Sequence, residues 1–367
     1  MGNMWIYGVL LLAVYLGANA YLFWRVLALI SGLPLALRVS IGVAFWLAAL
    51  MLFAAMALRN VDISEVVART MFNIGSVWLV FLLYAVLLTL LFDVVHCIFP
   101  SFCCGTPTAL IVTLLIMGVG YINYRNPRVE EIEIESDKID QELRLAVLSD
   151  VHLGYGTTRR LFAEYVELIN SQRADVVLIV GDLVDNSLRP VREQHVDELC
   201  AKIEATRGVY MVLGNHEYIS GVDDAIAFIN DTPITLLRDS VAVPCEGVAI
   251  IGRDDRTNRH RKSLKTLVSQ ADSAALKIVL DHQPYEIPVS NNLGIDVHIS
   301  GHTHRGQVWP LSWLVDAMYE QSHGYRKWST THAIVSSGLS LWGPPFRIGT
   351  RSEIVVITLK SPHQGRQ

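Results

Sequence analysis

Charge is scarce in this chain. Only 18% of its 367 residues are Asp, Glu, Lys or Arg while 51% are hydrophobic, a balance that excludes intrinsic disorder and a coiled coil. Before residue 126 there is no lysine at all, and five arginines against three acids (Asp62, Glu65, Asp93) leave a net charge of +2. The rest holds 25 basic and 32 acidic side chains, a net of −7, so a basic nucleic-acid binder is excluded and no nucleic-acid partner is expected. Cysteine is sparse too. Positions 97, 103, 104, 200 and 245 form no CxxC pair and no disulfide framework. Cys200 and Cys245 read as unpaired and buried, in keeping with a reducing compartment, and Cys97, Cys103 and Cys104 receive no function.

Apolar length is abundant instead. Residues 4–24, 39–58, 77–99 and 108–124 are four runs close to the ~20 apolar residues that span a bilayer. The expectation is an all-α transmembrane region of about four helices over residues 1–125, with the lipid bilayer as partner. Trp5, Trp24, Trp46, Trp78, Tyr121 and Tyr124 lie mostly near the ends of these runs, where amphipathic rings prefer the interface. Asp93 and His96, near the end of the third run, are read as reaching interfacial water. Ala18-Asn19-Ala20 fits a cleavage pattern, but no basic stretch precedes it and the apolar run continues to Trp24, so removal as a signal peptide is not expected. With a cytoplasmic N-terminus, Arg59, Arg69, Arg125 and Arg128 fall inside and Arg38 and Arg25 outside, which places the polar region on the cytoplasmic face.

After a charged connector over residues 126–142 the pattern changes to short β-branched runs alternating with amphipathic stretches, the rhythm of an α/β, layered αββα domain over residues 143–360 with a tail at 361–367. The runs cover 143–148, 176–180, 209–213, 277–280 and 297–300. Each ends in groups that are costly to bury: Asp150-Val151-His152, Asp182-Leu183-Val184-Asp185, Asn215-His216-Glu217, Asp281-His282 and His302-Thr303-His304. The carboxyl ends of buried strands converge on one edge of a sheet. Asp, Asn and His together offer oxygen and imidazole ligands suited to Mn, Fe or Zn, with no thiolate to restrict the site to zinc. Gly181, Gly214 and Gly301 are read as permitting the tight turn before each ligand.

The series Asp150-x-His152, Gly181-Asp182-x-x-Asp185, Gly214-Asn215-His216-Glu217, His282 and Gly301-His302-Thr303-His304 resembles the calcineurin-like metallophosphoesterase superfamily. Gly306-Gln307 and residues 338–345 and 347–359 resemble its membrane-associated bacterial branch, with Arg305 where that branch usually has Gly. The resemblance implies two divalent metal ions. Asp150, His152, Asp182 and His304 would hold one, and Asp182, Asn215, His282 and His302 the other, with Asp182 as bridge. It further implies attack on phosphorus by a metal-activated hydroxide, His216 as general acid and Asp185 as the carboxylate that orients it. The implied substrate is a phosphomonoester, phosphodiester or pyrophosphate of a phosphorylated small molecule or a lipid-linked compound, the lipid-linked class being suggested by the four-helix anchor alone, and the expected location is the bacterial inner membrane. Arg305, Arg253 and Arg347 are read either as phosphate contacts or as solvated or salt-bridged side chains.

His298 is expected in the core, and His195, His260, His323, His332 and His363 at the surface. Two alternatives stand beside the enzyme: a non-catalytic metal-binding scaffold, and a regulatory domain attached to a membrane receptor or transporter. The apolar runs lack the paired charges and broken segments that a transporter shows.

Overall fold

The computed structural model describes residues 4–58, 61, 63–101, 104–271 and 275–362. Arg59, Asp62, Cys103 and His363 lie outside the described residues. The chain forms two compact units, one running to Ile122 with Gly343–Phe346, the other comprising Asn123–Trp342 and the residues from Arg347 onward.

The second unit holds twelve strands among the described residues: β1 (Arg128–Glu135), β2 (Leu143–Leu148), β3 (Val176–Val180), β4 (Val209–Val212), β5 (Thr235–Leu236), β6 (Ser240–Cys245), β7 (Val248–Gly252), β8 (Leu276–Leu280), β9 (Val297–Ser300), β10 (Gly324–Trp328), β11 (Thr331–Val335) and β12 (Glu353–Lys360). They make two six-stranded sheets, ordered β1-β12-β2-β3-β4-β5 and β10-β11-β9-β8-β7-β6. Alternation along the strands builds three apolar layers. Leu145, Val147, Leu178 and Val180 meet Ile250, Ile278, Leu280 and Ile299 between the sheets. Ala146, Leu148, Val177 and Ile179 pack outward on Phe162, Tyr165 and Ile169 of the Arg159–Ser171 helix. Ile251 and Val279 pack on Leu264 and Leu267. Burial on both faces explains why β3 reads as a continuous apolar run and β2 and β8 as runs broken only by Arg144 and Lys277, and the layered α/β architecture is the one expected. The charged segment 126–142 is more than a connector: β1 pairs in parallel with β12, Arg128 opposite Glu353, with Ile132 and Ile134 turned toward the protein and Glu131, Glu133 and Glu135 exposed. Its acidic face is that of an edge strand.

Strands β2, β3 and β4 run parallel, as do β7, β8 and β9, so the ends of each set open on one edge. The turns there differ from the expectation. Gly181 has φ +78°, but the left-handed residues at the other ends are the candidate ligands themselves: Asp150 (φ 56°), His152 (48°), Asp182 (53°), His302 (69°) and His304 (47°). Gly214 and Gly301 serve close approach instead. A Cβ on Gly214 would lie 2.1 Å from Asp182 Oδ1, and one on Gly301 1.8 Å from Ser149 Oγ. Arg305, where a glycine was expected, is left-handed too at φ 49°, a conformation that glycine takes without strain.

The first unit contains α1 (Met4–Leu29), α2 (Leu35–Ala57), α3 (Glu65–Ile98) and most of α4 (Gly105–Arg125), four helices long and apolar enough to cross a membrane. Leu10, Leu47, Leu91 and Leu115 are among the many large apolar side chains they leave exposed, as lipid-facing surfaces do. α3 starts twelve residues before the expected run because Ser64 caps it, accepting from Val67 N, and Glu65 pairs with Arg69 in its first turn. At 34 residues it is about 50 Å long.

Tyr21, Arg25, Asp93, Asn19 and Trp78 are paired across helices, which corrects two expectations. Asp93 accepts from Tyr21 Oη at 2.5 Å and pairs with Arg25 at 2.8 Å, rather than simply reaching interfacial water. Trp46 and Trp78 lie along α2 and α3, not at their ends, and pack with Phe45; Trp78 Nε1 donates to the buried Asn19. Gly75 is where α3 approaches α2 most tightly, for a Cβ there would meet Leu52 N at 2.5 Å. Gly75→Leu should lower the melting temperature of the full-length protein in detergent by several degrees, as overpacking costs about 1–3 kcal/mol. Gly118→Leu, which meets nothing within 4 Å, should leave it unchanged.

Candidate metal centre

The expected ligands come from five strand ends and converge. Asp150 Oδ1 lies 3.8 Å from His152 Nε2 and 3.4 Å from His304 Nε2, and the two imidazole nitrogens are 3.1 Å apart. A second group gathers Asp182, His282 and His302, with Asn215 Oδ1 at 3.2 Å from His282 Nε2. Asp182 Oδ2 stands between the groups, 3.2 Å from His282 Nε2 and 3.8 Å from His152 Nε2. His152, Asp182 and His216 form a third cluster that shares two of these side chains.

Backbone contacts hold the donors in place. The Asp182 carboxylate uses Oδ1 to accept from His216 N at 2.9 Å, which leaves Oδ2 for the interior of the site. Asp150 accepts from His302 N at 3.0 Å, tying the end of β2 to the end of β9. His282 Nδ1 lies 2.8 Å from Val180 O, a partner that can only accept, so the ring donates there. On the neutral ring the Nε2 lone pair then faces two oxygen acceptors, Asp182 Oδ2 and Asn215 Oδ1. Oxygen and nitrogen lone pairs turned on one another need a proton or a cation between them, and the donor set fits divalent metal. Five left-handed ligands in one site point the same way, since such strain collects at functional positions.

Burial would raise the Asp150 and Asp182 carboxyls, but the imidazoles around them prevail and hold both well below the usual carboxylate range. For Asp150 the leading imidazole is His304, and for Asp182 it is His282. Burial pushes His304 down to about 3 and His302 to about 4, whereas His152, against its own burial, is drawn up to about 10 by Asp150 and Asp185.

His216 and Asp185 lie beside this cluster, with Nδ1 of the imidazole 3.1 Å from Oδ1 of the carboxylate. The His216 ring stands edge-on to His152 at 4.5 Å between centroids, and the half-exposed Trp342 is 6.4 Å from it.

Two of the three arginines read as candidate phosphate contacts, Arg347 and Arg253, are engaged elsewhere. Arg347 is fully buried and donates to the carbonyls of His304, Ser337, Gly338 and Ser340, so it fastens a ligand's backbone to the loop before β12. Arg253 is salt-bridged to Asp281 and Glu286, and Arg261 reaches the same two carboxylates. His298 is buried between Ser290 and Ser300, as expected, and His195 and His260 are exposed. His323 and His332 are half-buried rather than free at the surface, near Glu353 and Tyr325. Cys200 is buried and unpaired, but Cys245 is only half-buried.

One structural residue had no role in the sequence reading. Glu217 is fully buried, and its carboxylate accepts from Asp182 N, Val184 N and Gly214 N at 2.7 to 3.0 Å. It clamps the ends of β3 and β4 together. Its signal in the sequence is its place three residues after Gly214, the spacing of a helix capping box.

Residues 143–306 match the family model described as calcineurin-like phosphoesterase. A protein described as an uncharacterized metallophosphoesterase from Helicobacter pylori (strain J99) is 35% identical over 251 residues, 66% of this chain and 67% of its own length. A transmembrane protein with metallophosphoesterase domain from Danio rerio is 31% identical over 275 residues, 70% of this chain and 62% of that protein. An uncharacterized metallophosphoesterase from Aquifex aeolicus is 25% identical over 262 residues, 68% of this chain and 98% of that protein. Relatives therefore occur in bacteria and in animals. With a family model matching residues 143–306 and such relatives matching two thirds of its length, this chain belongs to the calcineurin-like metallophosphoesterases, and it is a metal-dependent phosphoesterase.

Proposed function

We propose that the protein is a membrane-anchored phosphohydrolase that works with two divalent cations, Mn, Fe or Zn, on a phosphomonoester, phosphodiester or pyrophosphate, with a lipid-linked substrate as the favoured class. The observation that carries this reading is the position of Asp182 Oδ2 between two groups of inward-facing donors. Asp150, His152, Asp182 and His304 hold one cation in this reading, and Asp182, Asn215, His282 and His302 the other. When bound, the pair supplies Lewis-acid neutralisation at the phosphoryl group and activates a water for attack.

The remaining steps belong to the chain. In this reading Asp185, whose Oδ1 lies 3.1 Å from His216 Nδ1, orients the ring. His216 Nε2 then gives its proton to the departing oxygen as the bond to phosphorus breaks. Tight burial of Asp150, Asp182 and Asp185 keeps bulk water from screening these charges. Four membrane-length helices exceed what a tether requires, which supports a substrate drawn from the bilayer. The cytoplasmic face of a bacterial inner membrane fits the arginines that flank the helices, Arg125 and Arg128 above all.

Asp182→Ala in the full-length protein should lose bound metal, read by elemental analysis, and with it hydrolysis of a chromogenic phosphodiester. Unchanged metal content and activity would overturn the two-cation assignment. His216→Ala should keep its metal while turnover falls by about 10²- to 10⁴-fold, the usual worth of a general acid. Metal loss in that variant would instead make His216 a ligand. Wild-type protein should cleave phospholipid or diphosphate-lipid substrates in mixed micelles, and preference for water-soluble esters alone would remove the lipid-linked class.

A further inference from the structure

The helix Leu311–Met318 follows closely on the candidate ligand His304, and it is built the wrong way round for a soluble surface. A surface helix ordinarily turns its apolar stripe to the core and its polar residues to water. Here Ser312 is buried, while Asp316 is exposed at the border of the outward face and bonded to Ser322 Oγ. Leu311, Trp313, Leu314 and Met318 are exposed by 45%, 65%, 61% and 60%, and Trp309, just before the helix, by 41%. At ~100° per residue, Trp313, Ala317, Leu314, Met318 and Leu311 form one unbroken outward arc. Most large exposed apolar side chains elsewhere in this unit stand apart from one another, whereas five fall within these ten residues.

We infer that this helix is a second membrane element, one that lies in the lipid–water interface and seats the phosphoesterase unit on the bilayer. Three observations select lipid as the occupant. The chain already carries four membrane-length helices, and α4 ends at Arg125 while β1 begins at Arg128, a connection of at most about 10 Å. The unit is therefore tethered at a bilayer surface. The arc contains tryptophan together with leucine and methionine, and Trp309 and Trp313 stack edge to face at 5.3 Å, side chains suited to the headgroup boundary. No basic or acidic side chain interrupts the arc, as a charged protein partner would require.

The docking helix also bears on access to the site. Its sequence neighbours on both sides belong to the candidate centre: His304 precedes it, and Tyr319 directly after it lies 6.4 Å from the His302 ring. In this proposal the seated helix keeps the candidate centre close to the headgroup level. This inference rests on α1–α4 as membrane spans and does not depend on which ester is cleaved.

The test uses full-length, cysteine-free protein reconstituted in phosphatidylcholine vesicles, with a nitroxide at Trp313→Cys or Leu314→Cys. The expected result is ready relaxation by oxygen and protection from a water-soluble nickel chelate, whereas a label at the exposed Gln270→Cys shows the reverse. Free access of the chelate to position 313 or 314 would overturn the inference. So would protection from both reagents with dipolar broadening between labels, which would mean a second copy of the chain covers the arc. In unlabelled protein, Leu314→Glu combined with Met318→Glu should leave hydrolysis of a water-soluble chromogenic diester unchanged and lower hydrolysis of vesicle phosphoesters at least tenfold. Loss of both activities with intact metal would assign the helix to the catalytic unit's folding and overturn docking; absence of both activities in the unaltered protein would instead count against the proposed function, leaving the nitroxide result to decide docking alone.

Discussion

Three carboxylates, those of Asp150, Asp182 and Asp185, are buried together at the ends of apolar strands, and the rest of the unit is arranged around that cost. An unpaired carboxylate in such surroundings would take up a proton rather than stay charged. These are held charged by the His152 and His282 imidazoles, which approach within 3.2 to 3.8 Å, and by backbone N–H groups from the neighbouring strand ends. Positive charge at this point is what lets an oxygen-rich cluster sit against the layer formed by Leu145, Val180 and Ile299. The same requirement explains why nitrogen and oxygen donors face each other, and why the family's chemistry runs on divalent cations.

Holding seven donors to one point also strains the backbone. Asp150, His152, Asp182, His302 and His304 all have φ between 47° and 69°, and a left-handed non-glycine residue costs roughly 1–2 kcal/mol. The sum is of the order of a whole domain's net stability. It persists because three devices over-determine the turns. Glu217 joins the ends of β3 and β4, Arg347 binds the His304 carbonyl to the loop before β12, and Gly214 and Gly301 let strand ends approach where a methyl group would collide. None of the three touches phosphate in this arrangement. They are the scaffold of the site, and they include Arg347, which the sequence leaves open between a phosphate contact and a solvated or salt-bridged side chain.

What the sequence made legible follows from burial and locality. β2, β3 and β8 stand out because strands buried on both faces are almost wholly apolar. The candidate ligands stood out because a carboxylate or imidazole placed directly after such a strand is costly to bury unless it binds a partner there. β1 was read as a connector since its outward glutamates give an edge strand the composition of a linker. Arg25 and Asp93 lie on different helices, and nothing local reveals that they meet, so the membrane helices looked free of paired charge. Arg347 was ambiguous for the same reason: its partners are carbonyls, and carbonyls have no letter in a sequence.

Polarity in the two units obeys one rule under two solvents. In the membrane helices Asn19, Arg25 and Asp93 find partners on other helices, because hydrocarbon offers none. In the phosphoesterase unit, polar side chains gather where strands end, and apolar ones fill the three layers between. The Leu311–Met318 helix breaks this second rule, with serine inward and leucine outward. Such an inversion is unfavourable in water, since it exposes the surface whose burial stabilises every other element of the unit. It becomes ordinary once the surrounding medium is lipid, and a unit joined to a membrane span by two residues between Arg125 and Arg128 has that medium within reach.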